Sequence, residues 1–242
     1  MSPTFADLAI PALSDVLPQI ERLVAARTPI VLVSAPSPVT TMIARRIPSL
    51  LPTPSALESA WIRAEWSAVY GGPEYGHTTW PRYADRIERP FRAPHYTVSQ
   101  AGLLGSTVTQ HAVPCRVLGP RGGRCDCRKE RVFRSGELQL ARHGVLFLDE
   151  IAEFSRAALQ GLACEWRAMA GGRPVLVASS LPCPCGFRGR RRGPTCSCSP
   201  EAIERYTGWN GRLAQAVQIF GGAVVEIPTL DASDLRAMMV GP

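Results

Sequence analysis

The sequence predicts an α/β fold in which a mostly parallel β-sheet is covered by helices on both faces. Short, continuously apolar segments recur along the chain, and segments with helical periodicity separate them. A strand that is buried on both faces is apolar throughout, whereas a strand with one wet face alternates between polar and apolar residues. The chain has 242 residues, of which 45% are hydrophobic. It can therefore build one sizeable core and is too apolar to be disordered.

The individual elements follow from periodicity and from turn chemistry. Each predicted strand is a short apolar run, and each predicted helix carries apolar residues three and four positions apart. Ser199-Pro200-Glu201 predicts a helix start, because it combines a capping hydroxyl, a proline in the first turn and an acid near the positive helix end. Gly71–Pro94 is rich in Gly, Pro and aromatic residues and predicts a loop. In chain order the predicted elements are a helix capped by Ser14, strand Ile30–Val33, helix Thr40–Arg46, helix Leu57–Tyr70, strand Gly144–Leu148, helix Ser155–Met169, strand Pro174–Ala178, a helix from Ser199, strand Ala223–Ile227 and a short helix capped by Asp231.

Arginine supplies nearly all of the positive charge. Lys and Arg together number 27 against 20 Asp and Glu, and Lys129 is the only lysine. A lysine that forms a Schiff base or binds a nucleotide phosphate would therefore have to be Lys129. It follows Cys127 and Arg128 rather than a glycine-rich segment, and the residue directly after it is not Ser or Thr. This context excludes Lys129 from a phosphate-binding P-loop.

The sequence shows no targeting or membrane segment. Met1–Ile30 lacks a basic region followed by an apolar block and a cleavage site, and nowhere do eighteen apolar residues run together. We therefore expect neither a secretion signal nor a membrane span, and a cytoplasmic location. The cytoplasm keeps thiols reduced, so metal ligation explains the clustered members of the 8 cysteines better than disulfides do.

Four cysteines near the C-terminal end predict a structural zinc site. Cys183-x-Cys185 and Cys196-x-Cys198 offer four thiolates from two tight turns, which suits tetrahedral Zn²⁺ without an open coordination position. The alternative is a set of buried or free thiols. Cys164, on a helix face, is predicted to be a core residue. A second candidate set would hold another zinc ion or add its last two cysteines to the first set, and its histidine is alternatively an ordinary loop residue: His111, Cys115, Cys125 and Cys127.

Two arginine-rich stretches, both flanked by cysteine, are predicted to be insertions into the α/β core. The first is Ser106–Arg134, with residues 107–134 as its basic, cysteine-containing part, and the second is Gly186–Pro194. Their arginines would contact nucleic-acid phosphates, or they would only solvate exposed loops. The candidates in the second stretch are Arg188, Arg190, Arg191 and Arg192.

Two acids follow the apolar strand Gly144–Leu148. Asp149 and Glu150 lie where nucleotide-hydrolysing folds place the acid that holds Mg²⁺ and the acid that polarises the attacking water. A strand that ends in a solvated acidic turn has the same pattern, so the two acids alone leave both interpretations open.

Four further segments in a fixed order give these acids a context. The chain closely resembles the magnesium-chelatase-like AAA+ ATPases, and within them the ComM-like branch, at Arg89–Thr97, Gly136–Gly144, Glu153–Arg156 and Pro182–Gly186. The resemblance implies an AAA+ P-loop NTPase-like core over residues 1–230. It leaves residues 231–242 as a terminal helix or as the start of a lid domain that is missing.

The resemblance also implies that the catalytic parts are degenerate. The family's phosphate loop is glycine-rich and ends in Lys-Thr, whereas the matching segment Ser34–Thr41 has no glycine and carries Thr40 where the lysine belongs. The family's water-orienting asparagine matches Leu181, and its trans-acting arginine matches Ala216, with Arg212 as a displaced substitute. The candidates that remain for phosphate contact are Ser34, Ser37, Thr40 and Thr41.

We therefore expect a pseudo-ATPase that acts as a zinc-stabilised binding or regulatory module, with Asp149 and Glu150 as the remnant of a Walker B motif. Its partner would be an intact AAA+ subunit, a further copy of this chain, or nucleic acid such as DNA. The alternative is an ATP-binding AAA+ ATPase that acts on DNA as a helicase or remodelling enzyme and uses Mg²⁺ and ATP through the two acids.

Overall fold

A computed structural model of the chain describes residues 4–70, 87–111, 128–189 and 194–230, together with residues 233, 234 and 236. Its strands are β1 Ile30–Val33, β2 Phe91–Arg92, β3 Ser106–His111, β4 Lys129–Arg134, β5 Val145–Leu148, β6 Val175–Ser180 and β7 Ala223–Glu226. Five of them form a sheet in the order β2-β5-β6-β1-β7, and all neighbours in it are parallel. The antiparallel pair β3 and β4 forms a separate hairpin.

The helices begin and end close to where capping chemistry predicts. Ser155 accepts a hydrogen bond from the N–H of Ala158, and Ser199 accepts one from the N–H of Ala202, so each serine caps the helix that follows it. No helix among the described residues is both long enough and apolar enough to cross a membrane. The helices are α1 Val16–Ala25, α2 Val39–Arg46, α3 Ala56–Tyr70, α4 Gln100–Leu104, α5 Glu137–Leu140, α6 Arg156–Ala168, α7 Pro200–Thr207 and α8 Arg212–Phe220.

Helices cover both faces of the sheet, which confirms the predicted α/β architecture. In β1, Ile30 and Leu32 belong to a buried cluster with residues of α1 and α2. Val31 and Val33 belong to a second cluster with residues of α6 and α8 on the opposite face. Because both faces of the central strands are buried, β1 and β5 are apolar at every position rather than at every second one, and β6 is apolar up to Ser179 and Ser180 at its end.

Most predicted strands and helices lie within one or two residues of the observed ones, and two predictions need correction. Asp15 rather than Ser14 is the N-cap of α1, because Ser14 ends a short 3₁₀ turn. Gly71–Pro94 is not entirely a loop, because its residues Phe91 and Arg92 pair with β5. The sequence does not predict α8 at all. The predicted terminal helix from Asp231 lies almost wholly outside the described residues, as do residues 71–86 of the predicted loop.

A half-buried cluster of ionisable side chains lies at the start of β5. Glu58 in α3 accepts hydrogen bonds from the two terminal nitrogens of Arg89 at 3.1 and 3.2 Å, and His143 Nδ1 lies 3.2 Å from the same carboxylate. Hydrogen bonds from Arg89 lower the pKa of Glu58 to about 2, and burial lowers the pKa of His143. The next residue, Gly144, has no room for a side chain, since an added Cβ would lie 2.0 Å from the carbonyl oxygen of Pro90. The close approach of Gly144 to Pro90 sets the position at which β5 enters the sheet.

Replacing His143 is expected to flatten the dependence of stability on pH just below the ordinary histidine pKa of 6.5. Because burial lowers the native pKa, the unfolded chain takes up a proton in this range that the native ring refuses, and the free energy of unfolding falls as the pH falls. His143→Asn keeps a side chain that tolerates the left-handed backbone found here, with φ at 63°. We expect its slope to be smaller by up to about 1.4 kcal/mol per pH unit.

Urea unfolding at a series of pH values measures this slope. His95→Asn, at an exposed histidine, is the matched control and is expected to leave the slope unchanged. Protonation of Glu58 acts in a separate window, below 4.5 and toward about 2, so the two groups are distinguishable. A His143→Asn slope equal to that of the unmodified chain would contradict the prediction.

Candidate functional site

The carboxyl ends of three neighbouring strands bring the predicted site residues to one edge of the sheet. The parallel register pairs Val33 of β1 with Ser180 of β6, and Leu148 of β5 with Ala178 of β6. The turn after β1 and the acids after β5 therefore lie on either side of the end of β6. Ligands of open α/β sheets bind at this edge, so this is where a nucleotide site is expected.

The turn Ser34–Val39 offers little of the backbone that a phosphate requires. The N–H of Ser34 donates to the carbonyl of Ser180 at 3.1 Å, and the N–H of Val39 donates to Ser37 Oγ at 3.3 Å. Pro36 and Pro38 have no N–H to donate. A phosphate cradle depends on several free, convergent amides, and in this turn proline rings and internal hydrogen bonds have replaced many of them.

Thr40 is a buried residue at the position where the resemblance implies a phosphate-binding lysine. Thr40 lies in the first turn of α2 and is only 5% exposed, and Thr41 beside it is half-buried. The chain after β7 passes over the turn, and the cavity between the two holds about 130 Å³. It is lined by Ser34–Val39 and Pro228–Leu230. Of the four predicted phosphate contacts, Ser34 and Ser37 line this cavity, whose lining includes no charged residue, and Thr40 and Thr41 do not line it.

Ser179, the penultimate residue of β6, forms hydrogen bonds with both Asp149 and Glu150. Its hydroxyl donates to Asp149 Oδ1 and accepts the backbone N–H of Glu150 at 2.8 Å. The two acidic residues are exposed, and Glu150 has a left-handed φ of 56°. Ser179 is not among the site residues predicted from the sequence, although a hydroxyl residue at the end of an otherwise apolar strand is a signal that could have marked it.

The residues that the resemblance matches to the water-orienting asparagine and to the trans-acting arginine are both apolar. Leu181 is apolar and half-buried, and Ala216 is buried among the residues of the α8 face. Arg212 is exposed, and its guanidinium forms an ion pair with Glu153 of the same chain at 2.9 Å. The candidate for a displaced trans-acting arginine is therefore already paired in cis.

A buried hydroxyl pair links the site to α7. Tyr206 lies with its hydroxyl 3.1 Å from Ser180 Oγ, and burial raises the pKa of Tyr206. The contact fixes α7 to the last residue of β6. It lies outside the predicted set, because nothing in the spacing along the chain reveals a contact between residues this far apart.

The structure brings together the four cysteines of the predicted metal site. The Sγ atom of Cys183 lies 3.4 Å from that of Cys185 and 3.7 Å from that of Cys196, and the latter two are 3.6 Å apart. With Cys198 included, all four sulfur atoms lie within 4.8 Å of one another. A tetrahedral zinc ion with Zn–S bonds of about 2.3 Å requires S···S distances of about 3.8 Å, whereas a disulfide requires about 2.05 Å. The cluster therefore has the size of a metal site.

Backbone hydrogen bonds favour the thiolate of Cys185, whereas desolvation and the neighbouring thiols raise the pKa of Cys196, and the same neighbours raise the pKa of Cys198 to about 12. The N–H of Phe187 helps to lower the pKa of the Cys185 thiol to about 6, and the N–H of Cys185 donates to Cys198 Sγ at 3.4 Å. Cys183 is buried and the other three are half-buried. Within the described ranges no other group of three or more His, Cys, Asp or Glu side chains converges in this way.

Several other candidates lie outside the described residues. Of the second cysteine set, only the backbone of His111 at the end of β3 is described. Arg188 is exposed, and its Nη1 donates to Thr207 Oγ1 at 3.4 Å. Cys164 is exposed on α6, so its prediction as a core residue is wrong. The candidates that fall outside the described residues are Cys115, Cys125, Cys127, Arg190, Arg191 and Arg192.

The hairpin presents one polar, basic and aromatic face, which we call the hairpin face. Lys129, Arg131 and Phe133 alternate along β4 and so project from the same side. The register places Thr109 opposite Arg131 and Thr107 opposite Phe133. All five residues are exposed, including 54% of Phe133. The sequence predicts that this stretch is basic. It does not predict that Phe133 projects from the same side as Lys129 and Arg131.

Comparisons with known proteins agree on one family. The family model described as magnesium chelatase, subunit ChlI, matches residues 19–119 and 128–220. The chain is 29% identical over 208 residues to competence protein ComM of Haemophilus influenzae, across 81% of this chain and 34% of that protein. It is 32% identical over 192 residues to the uncharacterized protein YifB of Escherichia coli, across 73% of this chain and 31% of that protein. The chain thus spans about a third of the length of these curated relatives.

Among solved structures, the chain is similar to one from the cryo-EM-based complex of the magnesium chelatase subunits BchI and BchD. The TM-score is 0.52 at 14% sequence identity, and the match covers 99% of this chain and 66% of the other. At this identity the likeness concerns the fold, and it agrees with the parallel sheet and the two helical layers described above.

Proposed function

This chain belongs to the family of the magnesium chelatase subunit ChlI and has its AAA+ fold, and from this premise we propose that it is a pseudo-ATPase that serves as a zinc-stabilised binding or regulatory module. The observation that carries the proposal is the turn Ser34–Val39 together with Thr40. Where a phosphate loop needs free amides and a lysine, this chain has Pro36, Pro38 and a buried threonine.

The acids do not compensate for this loss. Asp149 and Glu150 act in hydrolysis by holding Mg²⁺ and by polarising water beside a bound triphosphate. The lysine is absent, the cavity at the turn Ser34–Val39 is lined by no charged residue, and Arg212 is paired to Glu153 at 2.9 Å. A trans-acting arginine alone contributes about three to five powers of ten in rate. Residual ATP hydrolysis through Asp149 and Glu150 is the competing function.

The proposed partner is an intact AAA+ subunit. The similar BchI and BchD subunits form a complex with each other, and a degenerate core of the same fold suits a regulatory position in a mixed assembly. A homo-oligomer is the other arrangement that the proposal allows. At the sheet edge where a nucleotide would bind, hydrogen bonds with Ser179 and Ser180 already occupy polar groups of the site. We propose that this edge is not used for catalysis.

The proposed metal is a structural Zn²⁺ held by Cys183, Cys185, Cys196 and Cys198. Four thiolates at these distances fill a tetrahedral coordination shell and leave no position for a substrate, so the ion stabilises the fold and does not catalyse. The proposal places the protein in the reducing cytoplasm, where thiols stay available for metal. The second set, His111, Cys115, Cys125 and Cys127, is a proposed site of the same kind in the first insertion.

A second candidate function is the binding of single-stranded nucleic acid by the hairpin face. Phe133 offers a surface on which a base can stack, Lys129 and Arg131 offer cations for phosphates, and Thr107 and Thr109 offer hydroxyl donors. Stacking combined with a basic track is the usual mode for single strands. Arg188 and residues 190–192 are proposed as a further basic contact.

The purified chain is expected to bind neither Mg·ATP nor Mg·ADP below about 1 mM, because the contacts that hold the β- and γ-phosphates are absent. Isothermal titration calorimetry measures binding, and phosphate release measures hydrolysis. Asp149→Ala and Glu150→Gln should leave the null results of the unmodified protein unchanged. Micromolar binding that either substitution weakens would contradict the pseudo-ATPase and support the competing function.

Protein prepared without chelators is expected to contain about one zinc ion per chain in the described cysteine site. Cys185→Ser should lose this ion and lower the melting temperature by roughly 5 °C or more, since metal affinity contributes to folding. Cys164→Ser, at an exposed cysteine outside the cluster, is the control and should retain both. Less than half an equivalent of zinc in the unmodified chain would contradict the site.

Substituting two cations of the hairpin face is expected to weaken nucleic-acid binding and its salt dependence together. For Lys129→Gln/Arg131→Gln, the slope of log affinity against log salt for a single-stranded oligonucleotide should decrease by roughly 1.4, about 0.7 for each lost phosphate contact. Fluorescence anisotropy measures it. Arg22→Gln/Arg156→Gln removes the same charge from exposed residues elsewhere and should have a smaller effect. Equal losses in both variants would indicate a general charge effect and count against the hairpin face.

A further inference from the structure

The loop that carries the cysteines rests directly on the turn that replaces the phosphate loop. At Gly186, where φ is +80°, an added Cβ would lie 2.7 Å from both Cγ and Cδ of Pro36. The backbone of the cysteine loop therefore touches the proline ring, at a position that glycine alone fills without strain or overlap. This contact joins two features that are otherwise separate in the chain, the degenerate turn and the thiol cluster.

The four cysteines flank this contact on both sides. Cys183 and Cys185 come directly before Gly186, whose N–H donates to the carbonyl of Cys183 at 2.9 Å. The second pair of cysteines comes directly before Ser199, the N-cap of α7. An ion bound by all four thiols therefore fixes the position of Gly186 relative to the end of β6 and to the start of α7.

The position of the cysteine loop also shapes an open groove beside the turn. The groove holds about 800 Å³. Its lining includes Pro182 and Arg188 of the loop, Ser34 and Ala35 of the turn, and Glu226 of β7. A shift of the loop would change both its contact with Pro36 and the width of this groove.

A bound ion would add to the contacts that hold the loop in place, which include the buried side chain of Cys183 and the hydrogen bond from Arg188 to Thr207. The described parts of the segment between β6 and α7 contain no helix or strand, so they gain little from regular hydrogen bonding. Four sulfur atoms within 4.8 Å repel one another as thiolates unless a cation compensates their charge. Thiolate sites of this kind commonly order their own loop only when the metal binds.

We propose that metal binding at Cys183, Cys185, Cys196 and Cys198 is a latch that holds Gly186 against Pro36 and so keeps the turn Ser34–Val39 closed. Loss of the ion releases the loop, uncovers the turn and opens the adjoining groove. The coupling is reciprocal, so any molecule that occupies the uncovered turn lowers the affinity of the cysteines for the ion. This inference rests on the zinc site of the proposed function.

Hydrogen exchange of the full chain tests the latch. The zinc-loaded protein is compared with the same protein after treatment with a strong zinc chelator, and the amides of the turn and of α2 are followed by mass spectrometry. We expect exchange there to become at least about tenfold faster on zinc removal and to slow again when zinc is restored. Exchange that does not respond to zinc would overturn the latch, even if the metal itself binds.

A pair of glycine substitutions separates the contact from the metal. Gly186 and Gly189 have nearly the same backbone, with φ at +80° and +79°, but an added Cβ at Gly189 would meet no atom within 4 Å. Gly186→Ala is expected to retain one zinc ion per chain and to speed exchange in the turn about tenfold. Gly189→Ala carries the same backbone strain and should leave exchange in the turn as it is. Equal behaviour of the two variants would overturn the role of the contact.

Pro36→Ala provides a second route if Gly186→Ala does not fold. Removing the ring takes away the surface on which Gly186 rests, so exchange in the turn should again become faster with zinc still bound. An unchanged turn in Pro36→Ala would contradict the latch. If the unmodified chain binds no zinc, the zinc part of the proposed function fails at that first measurement, whereas the latch alone fails when zinc binds and the turn does not respond.

Discussion

The parallel register of β6 between β1 and β5 is the constraint on which the candidate site depends. It places the carbonyl of Ser180 3.1 Å from the N–H of Ser34 and the hydroxyl of Ser179 beside Asp149 and Glu150. In an active nucleotide hydrolase, the groups at these strand ends face a triphosphate and a metal ion. Here the protein's own polar atoms satisfy much of this hydrogen bonding, so the edge is stable without a ligand.

The proposed loss of catalytic parts is physically compatible with a well-formed core. The two buried clusters involve the strands and the inner sides of the helices, and Ala216, at the position matched to the trans-acting arginine, packs in the second of them as an apolar residue. The changes in the turn also favour folding. Proline restricts the unfolded chain, and Pro38 is accommodated at its preferred φ, −70°. A buried threonine at position 40 avoids the cost of burying an ammonium group.

The extent to which the sequence predicts this structure depends on how local each feature is. Apolar runs predict the buried strands, helical periodicity predicts α1 to α3, and spacing along the chain predicts the cysteine cluster. β2 is two residues long, too short for any pattern, and α8 follows a glycine-rich turn without a capping side chain. Contacts between distant residues are the part that the sequence does not reveal. The contacts of Ser179 with Asp149 and of Pro36 with Gly186 form only because the sheet brings strand ends together.

The scarcity of lysine has a further consequence for the chemistry of the surface. Lys129 is the only lysine in the chain, and it is exposed at the start of β4 on the hairpin face. The protein therefore offers a single side-chain amine to any reagent or enzyme that modifies lysine. Acylation at that one position removes a charge from the hairpin face and leaves every other cation, all of them arginine, as it was.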